Sequence, residues 1–326
     1  MTFLDIIIPQ YKEDDNLVSK LLDSIRRQKK VKFEEIGIII INDASDVELD
    51  INLFKKYKPL NIKYIKNEVN SGPGVTRQNG LKASKAKYVT FVDADDELYG
   101  DDSLYQVINS LKQTNCNILC TTMLQEKKVG NEIKIVAVPF DNMRTLHGLF
   151  IKRRYLADNE ISFHPSLRYY EDSYFIMTLI HDNNYVNVDK ITYVWKYNEN
   201  SLTLGGNNSI CVNHFMDLYT SVKDIYDYYK KHNVKNSNVY LFQQIIEMSL
   251  ILFSSLFENS KLDSNRATYE KLVWELYINN QDEINMISSF NKERIIKYQT
   301  NDVLNYYKGI ELKGTFGDFI KKMESK

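Results

Sequence analysis

The hydrophobic pattern of the first 140 residues alternates between short apolar runs and stretches with helical spacing. The apolar runs are nearly continuous, which is typical of strands that are buried on both faces of a sheet. The stretches between them place apolar residues three and four positions apart, as amphipathic helices do. This alternation predicts an α/β layered sheet. The predicted strands cover residues 3–9, 36–41, 62–67, 88–92, 117–124 and 132–140, and the predicted helices cover residues 17–25, 75–85 and 104–111.

The pattern changes in the second half of the chain. Residues 140–205 are mixed and end in a polar segment that contains glycine. Beyond Cys211 helical spacing dominates, with breaks near Asn233, Asn259 and Gly309. This change predicts two regions rather than one continuous sheet domain. The predicted boundaries are 1–208 for the sheet domain and 209–326 for the helical region.

The most apolar later stretch, residues 239–257, is nearly long enough to cross a bilayer. Gln243, Gln244 and Glu247 interrupt it, which favours a buried helix over a membrane span. The first residues lack a basic segment followed by a long apolar one, so we expect no signal peptide. We therefore expect a cytoplasmic protein and leave open a peripheral contact with the inner face of the membrane.

The composition narrows the function classes. Lys and Arg number 42 against 43 Asp and Glu, so the net charge of −1 does not indicate a general electrostatic grip on nucleic acid or anionic lipid. A local basic patch is not excluded by this balance. Three cysteines fit a reducing compartment without a disulfide framework. Cys116 and Cys120 have no second Cys or His pair nearby, which argues against a zinc site.

Clustered carboxylates follow the strand predicted at residues 88–92. Asp93 and Asp95 are two positions apart at the strand end, so both can face one ion. Carboxylates without neighbouring Cys or clustered His suit a hard cation such as Mg²⁺ or Mn²⁺, shared with substrate phosphates. The alternative is a turn that caps the helix near Asp102. Because ligands bind beyond the carboxyl ends of strands, residues 9–11 and 42–45 should join these carboxylates at one sheet edge.

A glycine-containing segment precedes the helix predicted at residues 75–85. Gly72, Pro73 and Gly74 allow close approach of the backbone to a ligand, and the helix N-terminus with Arg77 could favour an anion. The spacing matches neither a P-loop nor a dinucleotide fingerprint. An ordinary helix start after a turn remains the alternative.

Two acidic residues open another predicted helix. Glu171 and Asp172 precede an apolar stripe with helical spacing, where both could simply favour the positive end of the helix. Upstream, His147 lies next to a glycine, and a single histidine in such a place is more often structural than functional.

The order of these segments resembles the family-two glycosyltransferases, which have the GT-A fold. The resemblance rests on IIIPQYKEDDN, IIIINDASD, NEVNSGPGVTRQNG and YVTFVDADDEL, is close over residues 3–100 and continues loosely to about residue 205. It implies an inverting transfer, dependent on Mn²⁺ or Mg²⁺, of a hexose or N-acetylhexosamine from a UDP-linked donor to a hydroxyl of a glycan or cell-surface polymer.

The resemblance also implies roles for individual residues. Asp172 matches the catalytic base of the family, with Glu171 beside it, and Asp95 matches the metal ligand, with Asp93 reaching the metal, ribose or sugar. Departures from the family pattern are Lys12, Asn42, Ala44, Gln78 and Lys196, which stand for Asn, Asp, Gly, Asn and Arg. The residues implied to bind the donor nucleotide sugar are Pro9, Tyr11, Asp43, Arg77, Asn79, Asp93 and Lys196.

Several alternatives stay open at this point. A sugar nucleotidyltransferase would normally carry a glycine-rich loop after the first strand, and residues 6–16 have none. A non-catalytic nucleotide-sugar or glycan-binding module would share the pocket, and a glycosyltransferase acting on nucleic acid bases would share the chemistry. The segment LGGNNS, residues 204–209, has the flexibility of a lid over the donor and could equally be an ordinary surface loop. The helical region could bind acceptor, form a homo-oligomer or contact the membrane.

Overall fold

The computed structural model describes residues 2–140, 146–182, 184–199, 211–258, 263–307 and 309–326. These residues divide into two units, Met1–Glu199 and Asn200–Lys326. The predicted boundary near residue 208, the LGGNNS segment and the predicted break at Asn259 lie outside the described residues.

The first unit is built on a mixed sheet of nine strands. The strand order is β3-β2-β1-β4-β8-β6-β9-β5, and β7 pairs with β6. The strands are β1 (Leu4–Gln10), β2 (Ile36–Asn42), β3 (Asn61–Lys66), β4 (Tyr88–Phe91), β5 (Glu97–Leu98), β6 (Ile118–Val129), β7 (Glu132–Val138), β8 (Leu149–Lys152) and β9 (Tyr185–Trp195). The helices of this unit are α1 (Asp15–Arg26), α2 (Ile51–Lys55), α3 (Pro73–Ala83), α4 (Ser103–Thr114), α5 (Arg153–Asp158) and α6 (Glu171–Leu179).

The parallel half of the sheet comes from the apolar runs. Strands β3, β2, β1 and β4 are parallel, and every residue of β2 and β4 is buried. Runs such as IGIIII form central strands because β-branched side chains pack well on both faces of a covered sheet. Strand β8 runs antiparallel to β4 and β6, while β9 runs parallel to β6 and antiparallel to β5. The predicted α/β class with a layered mixed sheet is confirmed.

Helix α3 packs directly on β1 and β2, and one glycine sets the closeness of that contact. A Cβ atom at Gly80 would lie 2.4 Å from Ile7 Cγ2 and 2.6 Å from Ile41 Cδ1. Both isoleucines are fully buried, so neither can easily move away. The position of α3, which carries Arg77, therefore depends on a residue without a side chain.

We expect Gly80→Ala to lower the free energy of unfolding by about 1–3 kcal/mol, because an overpacked core forces strained side chains or backbone shifts. Denaturant unfolding followed by circular dichroism measures this change. The control is Gly317→Ala, where the nearest atom lies 3.6 Å from the added Cβ. Alanine in that helix should be neutral or stabilising, since it is the better helix former. Equal unfolding midpoints for Gly80→Ala and the wild type would contradict the tight contact.

The second unit is helical, as predicted. Its helix Ser237–Leu252 has buried residues on almost every side in its second half. Within it, the buried Glu247 accepts hydrogen bonds from Gln299 Nε2 at 3.2 Å and Tyr307 Oη at 3.3 Å. Among the described residues, no helix has both the length and the apolar character needed to cross a membrane. The helices are α7 (Phe215–Lys231), α8 (Ser237–Leu252), α9 (Ser255–Glu258), α10 (Arg266–Asn279), α11 (Gln281–Asn285), α12 (Ser289–Tyr306) and α13 (Phe316–Glu324).

Candidate active site

The carboxyl ends of three parallel strands bring the predicted residues to one edge of the sheet. Gln10 at the end of β1 pairs with Asn42 at the end of β2, and Ile7 pairs with Phe91 at the end of β4. Residues 11, 43 and 93 therefore leave the sheet on the same side, as the sequence predicts for a ligand site.

Asp43 joins three segments at this edge. Its carboxylate accepts hydrogen bonds from the backbone N–H of Ser71 at 2.9 Å and of Gly72 at 2.8 Å, and from Asn67 Nδ2 at 2.9 Å. Asn79 Nδ2 in turn donates to Asn67 Oδ1 at 3.0 Å. Three bonds leave a carboxylate about one further acceptor position. Asp43 thus shapes the turn before α3, and its role in binding the donor nucleotide sugar stays a prediction.

The guanidinium of Arg77 is the centre of the site. The side chain is 6% exposed and lies between three carboxylates. Nη2 contacts Asp93 Oδ1 at 2.8 Å, while Nη1 contacts Asp172 Oδ1 at 3.1 Å and Glu171 Oε1 at 3.3 Å. One cation therefore connects α3, the end of β4 and the start of α6.

This arrangement shifts the pKa values of Arg77 and Asp93 in opposite directions. Burial disfavours the charge on Arg77, but Asp172, Asp93 and Glu171 more than offset burial and hold the pKa of Arg77 above its ordinary value. Burial also pushes the pKa of Asp93 upward, but Arg77 and His147 outweigh it and hold that pKa well below its ordinary value. Asp93 is consequently an anion at neutral pH.

The two acids at the start of α6 are less strongly ionised. Burial, with the charge of Asp172 second, raises the pKa of Glu171 to about 8. Burial raises the pKa of Asp172 as well, although the charge of Arg77 opposes that shift. The side chain of Asp172 is 26% exposed, whereas that of Glu171 is 12% exposed. Asp172 therefore combines a raised proton affinity with access from solvent, as a general base requires.

A second group of side chains lies behind Asp93. His147 Nε2 is 3.3 Å from Asp93 Oδ2, and the imidazole stacks on Tyr193 with ring centroids 4.4 Å apart. The hydroxyl of Tyr193 donates a short hydrogen bond to the buried Asp96. Asp96 and Tyr193 were not predicted as site residues, although Asp96 directly follows Asp95 in the segment YVTFVDADDEL and could have been proposed from it. His147, for which the sequence favoured a structural role, contacts the aspartate predicted to bind the donor.

Asp95 fits the predicted metal ligand by its chemistry. Its Oδ2 accepts a hydrogen bond from Asn198 Nδ2 at 2.7 Å, and its pKa is raised by burial and by the charge of Asp93. A carboxylate in that situation is stabilised by a bound cation, and oxygen ligands match Mg²⁺ or Mn²⁺. Among the described residues, Asp93, Asp96 and His147 also place one ligand atom each within 4.8 Å of one another. Both oxygens of Asp96 already accept bonds, from Tyr193 and the Lys196 N–H, and both oxygens of Asp93 contact Arg77 or His147. The metal role of Asp95 and Asp93 therefore stays a prediction.

The remaining predicted residues lie at the ends of β1 and β9. Tyr11 is 44% exposed and Pro9 is half-buried. The ammonium group of Lys196 is already paired with two carboxylates, since its Nζ lies 2.5 Å from Glu126 Oε1 and 3.9 Å from Glu97 Oε1. Among the described residues, no contact joins the Lys196 ammonium to the group around Arg77.

A sequence model of the family described as Glycosyl transferase family 2 matches residues 5–176. The poly(ribitol-phosphate) beta-glucosyltransferase of Bacillus spizizenii is 32% identical over 202 residues, 58% of this chain and 30% of that protein. The poly(ribitol-phosphate) beta-N-acetylglucosaminyltransferase TarS of Staphylococcus aureus is 26% identical over 244 residues, 70% of this chain and 39% of that protein. The chain thus spans about a third of the length of these relatives.

Solved structures are similar over most of the chain. The crystal structure of Staphylococcus aureus TarS 1-349 in complex with UDP-GlcNAc has a TM-score of 0.66 at 19% identity, covering 94% of this chain and 89% of that chain. The structure of the same TarS fragment without a named ligand has a TM-score of 0.65 at 20% identity. At these identities the likeness concerns the fold, and it confirms the predicted GT-A architecture with a helical C-terminal region.

Proposed function

This chain belongs to glycosyl transferase family 2, and we propose that it transfers a sugar from a UDP-linked donor to a hydroxyl group of a polymer. The names of the curated relatives support a glucosyl or N-acetylglucosaminyl group as the sugar. The named complex of a similar fold with UDP-GlcNAc supports the UDP moiety. The observation that carries the proposal is the Arg77 cluster, in which one buried cation joins Asp93 and Asp172 at the carboxyl edge of the sheet.

Asp172 is the proposed general base. It accepts the proton of the acceptor hydroxyl as the hydroxyl oxygen attacks the anomeric carbon. The new carbon–oxygen bond forms while the bond from that carbon to the diphosphate oxygen breaks, and the electron pair leaves with UDP. Attack opposite the leaving group inverts the anomeric configuration, as in single-displacement glycosidases. Arg77 keeps Asp172 oriented through the 3.1 Å contact and lowers the cost of its charge.

Asp95 and Asp93 are the residues that would hold a divalent cation in this proposal. When bound, Mn²⁺ or Mg²⁺ supplies positive charge that stabilises the departing diphosphate. Asp93 suits this position because its depressed pKa keeps it anionic. Asn198 orients Asp95 through its amide, and His147 orients Asp93.

We expect Asp95→Asn to reduce metal-stimulated transfer at least about tenfold and to raise the Mn²⁺ concentration needed for half-maximal activity, because losses of 10–100-fold are usual even for outer partners of a metal site. Rates measured over a Mn²⁺ titration test this expectation. Asp101→Asn is the control, because Asp101 is a half-exposed partner of Lys29. The same metal dependence in Asp95→Asn and wild type would remove Asp95 from the metal site.

The experiment that tests the function incubates the chain with UDP-glucose, UDP-N-acetylglucosamine and other nucleotide sugars, a poly(ribitol phosphate) acceptor, and Mn²⁺, Mg²⁺ or a chelator. Release of UDP with glycosylated polymer supports transfer, and NMR of the anomeric proton reports inversion or retention. Pyrophosphate as product would indicate a nucleotidyltransferase instead. Donor binding alone should raise the melting temperature by mass action, so binding without any turnover would indicate a non-catalytic module.

A further inference from the structure

A cavity of about 890 Å³ lies at the opposite end of β4 from the Arg77 cluster. Its walls come from the segment between α3 and β4, the segment after α4, the end of β8 and helix α5. Five basic side chains line it against two acidic ones, although the whole chain is nearly neutral. The basic residues are Lys85, Lys87, Lys152, Arg153 and Arg154.

Two of the ammonium groups converge on one neutral residue. Lys87 Nζ donates to Asn115 Oδ1 at 2.9 Å, and Lys152 Nζ donates to the backbone oxygen of Asn115 at 3.0 Å. The amide oxygens hold both cations in place without neutralising them, so the repulsion between the cations remains. An anion bound between them would remove that repulsion.

The other charged side chains of the cavity also favour the binding of an anion. Arg153 Nε donates to the Ala86 oxygen at 3.0 Å, which fixes its guanidinium at the rim. Among the residues that the structure describes, Lys85, Lys87, Lys152 and Arg153 have no carboxylate within ion-pair distance. The two acids of the wall are already engaged, since Asp158 Oδ2 accepts from Arg154 Nε at 3.3 Å and Asp182 Oδ1 accepts from the Tyr155 hydroxyl at 2.9 Å.

We infer that this cavity binds phosphate groups of the acceptor polymer, away from the sugar-transfer site. The chemical class is a flexible polyol phosphodiester chain, which carries a regular series of single negative charges. This identification of the polymer rests on the proposed function, because the curated relatives are named for poly(ribitol phosphate). The cavity itself requires only a ligand with several phosphates.

The position of the cavity predicts a dependence on polymer length. Lys87 precedes β4 and Asp93 follows it, so at about 3.3 Å per residue the two ends are separated by roughly 20 Å. A single repeat cannot reach both places, whereas a long chain can. Binding at the cavity therefore raises the local concentration of acceptor hydroxyls at the transfer site for long polymers only.

The test compares the triple variant Lys85→Gln, Lys87→Gln, Lys152→Gln with a control triple, Lys20→Gln, Lys55→Gln, Lys63→Gln, which removes the same charge from exposed positions elsewhere in the first unit. Fluorescence anisotropy measures binding of a labelled long poly(ribitol phosphate). With about three phosphate contacts, wild-type affinity should fall roughly twentyfold between about 50 and 200 mM salt. The cavity variant should lose most of that salt dependence and bind about tenfold more weakly at the lower salt.

Replacement of the same three lysines by arginine should retain binding, which separates loss of charge from loss of folding. Transfer to a single ribitol phosphate unit should be equal in all variants, whereas transfer to the long polymer should fall in the glutamine triple. Equal polymer binding by wild type and glutamine triple would overturn the inference, as would preferential binding of a single-stranded oligonucleotide of equal charge. If wild type releases no UDP from any donor but the glutamine triple still loses polymer binding, the proposed function fails, and the binding of a phosphate polymer at the cavity stands without its role as acceptor.

Discussion

An Asp172→Asn variant is expected to turn over about 10²- to 10⁴-fold more slowly than the wild type, which is the usual contribution of a general base. Asparagine keeps the size and one oxygen of the side chain but cannot take the proton of the acceptor hydroxyl. The contact of 3.1 Å with Arg77 can still be made by the amide oxygen, so the shape of the site should be retained. Steady-state release of UDP with saturating donor and acceptor measures the loss.

The loss should appear in the turnover number rather than in donor binding. Thermal stabilisation by UDP-sugar in the presence of Mn²⁺ should be similar in Asp172→Asn and wild type, because Asp172 acts on the acceptor. Asp189→Asn is the matched control, since Asp189 is an exposed aspartate at which the same chemical change should leave the rate unaltered. A near wild-type rate for Asp172→Asn would show that another group accepts the proton.

The pH dependence gives a second test of the same assignment. The base works as a carboxylate, so the wild-type rate should fall as pH decreases through the pKa of Asp172. Burial raises that pKa, so this fall should begin above the pH expected for an ordinary aspartate. The residual rate of Asp172→Asn should lack this acidic limb, while the Asp189→Asn control should keep it.

The parallel half of the sheet could be predicted from sequence because its strands correspond to short, continuous apolar runs. The run IGIIII places apolar side chains on both faces of the strand, so both faces should be buried, and every residue of β2 is buried. In the antiparallel half, β6 and β7 overlap the predicted runs 117–124 and 132–140, but β8 and β5 could not be predicted in the same way. Strand β8 is a run of four residues, β5 has only two, and both exist through pairing with distant segments. The stability that a strand gains by pairing with distant segments is not visible in the local pattern of apolar and polar residues.

The same contrast holds for the site: the sequence identifies individual residues, but it does not show the contacts between residues far apart in the chain. The carboxylates Asp93 and Asp95 could be proposed from their spacing, and Asp172 from family resemblance. The contact that joins them could not, because Arg77 and Asp172 are 95 positions apart in the chain. The partner of Lys196 was missed for the same reason, since Glu126 lies 70 positions away. Sequence identified the charged groups, and only the fold determined which charges neutralise one another.

The other large effect concerns stability and comes from removing the cation of the site. We expect Arg77→Met to lower the free energy of unfolding at pH 8 by about 3–5 kcal/mol, because the deletion leaves buried carboxylates without a counter-charge. Asp93, Glu171 and Asp172 would then repel one another at the sheet edge. Denaturant unfolding measures the change. Arg154→Met is the control, as its exposed i,i+4 pair with Asp158 should contribute about 0.3–0.5 kcal/mol.

The destabilisation of Arg77→Met should shrink as the pH falls from 8 to 5. In the wild type, the depressed pKa of Asp93 gives stability that is fully present above its unfolded pKa near 3.8, so that contribution is constant over this range. Without Arg77, the folded pKa values of the three carboxyl groups rise above their unfolded values. A raised carboxyl pKa destabilises the fold as pH increases through it, and protonation at lower pH restores stability. The pKa of about 8 for Glu171 already gives the wild type part of this trend, so the quantity to follow is the difference between the two proteins. A difference that stays constant from pH 5 to 8 would mean that lost packing, rather than unpaired charge, causes the destabilisation.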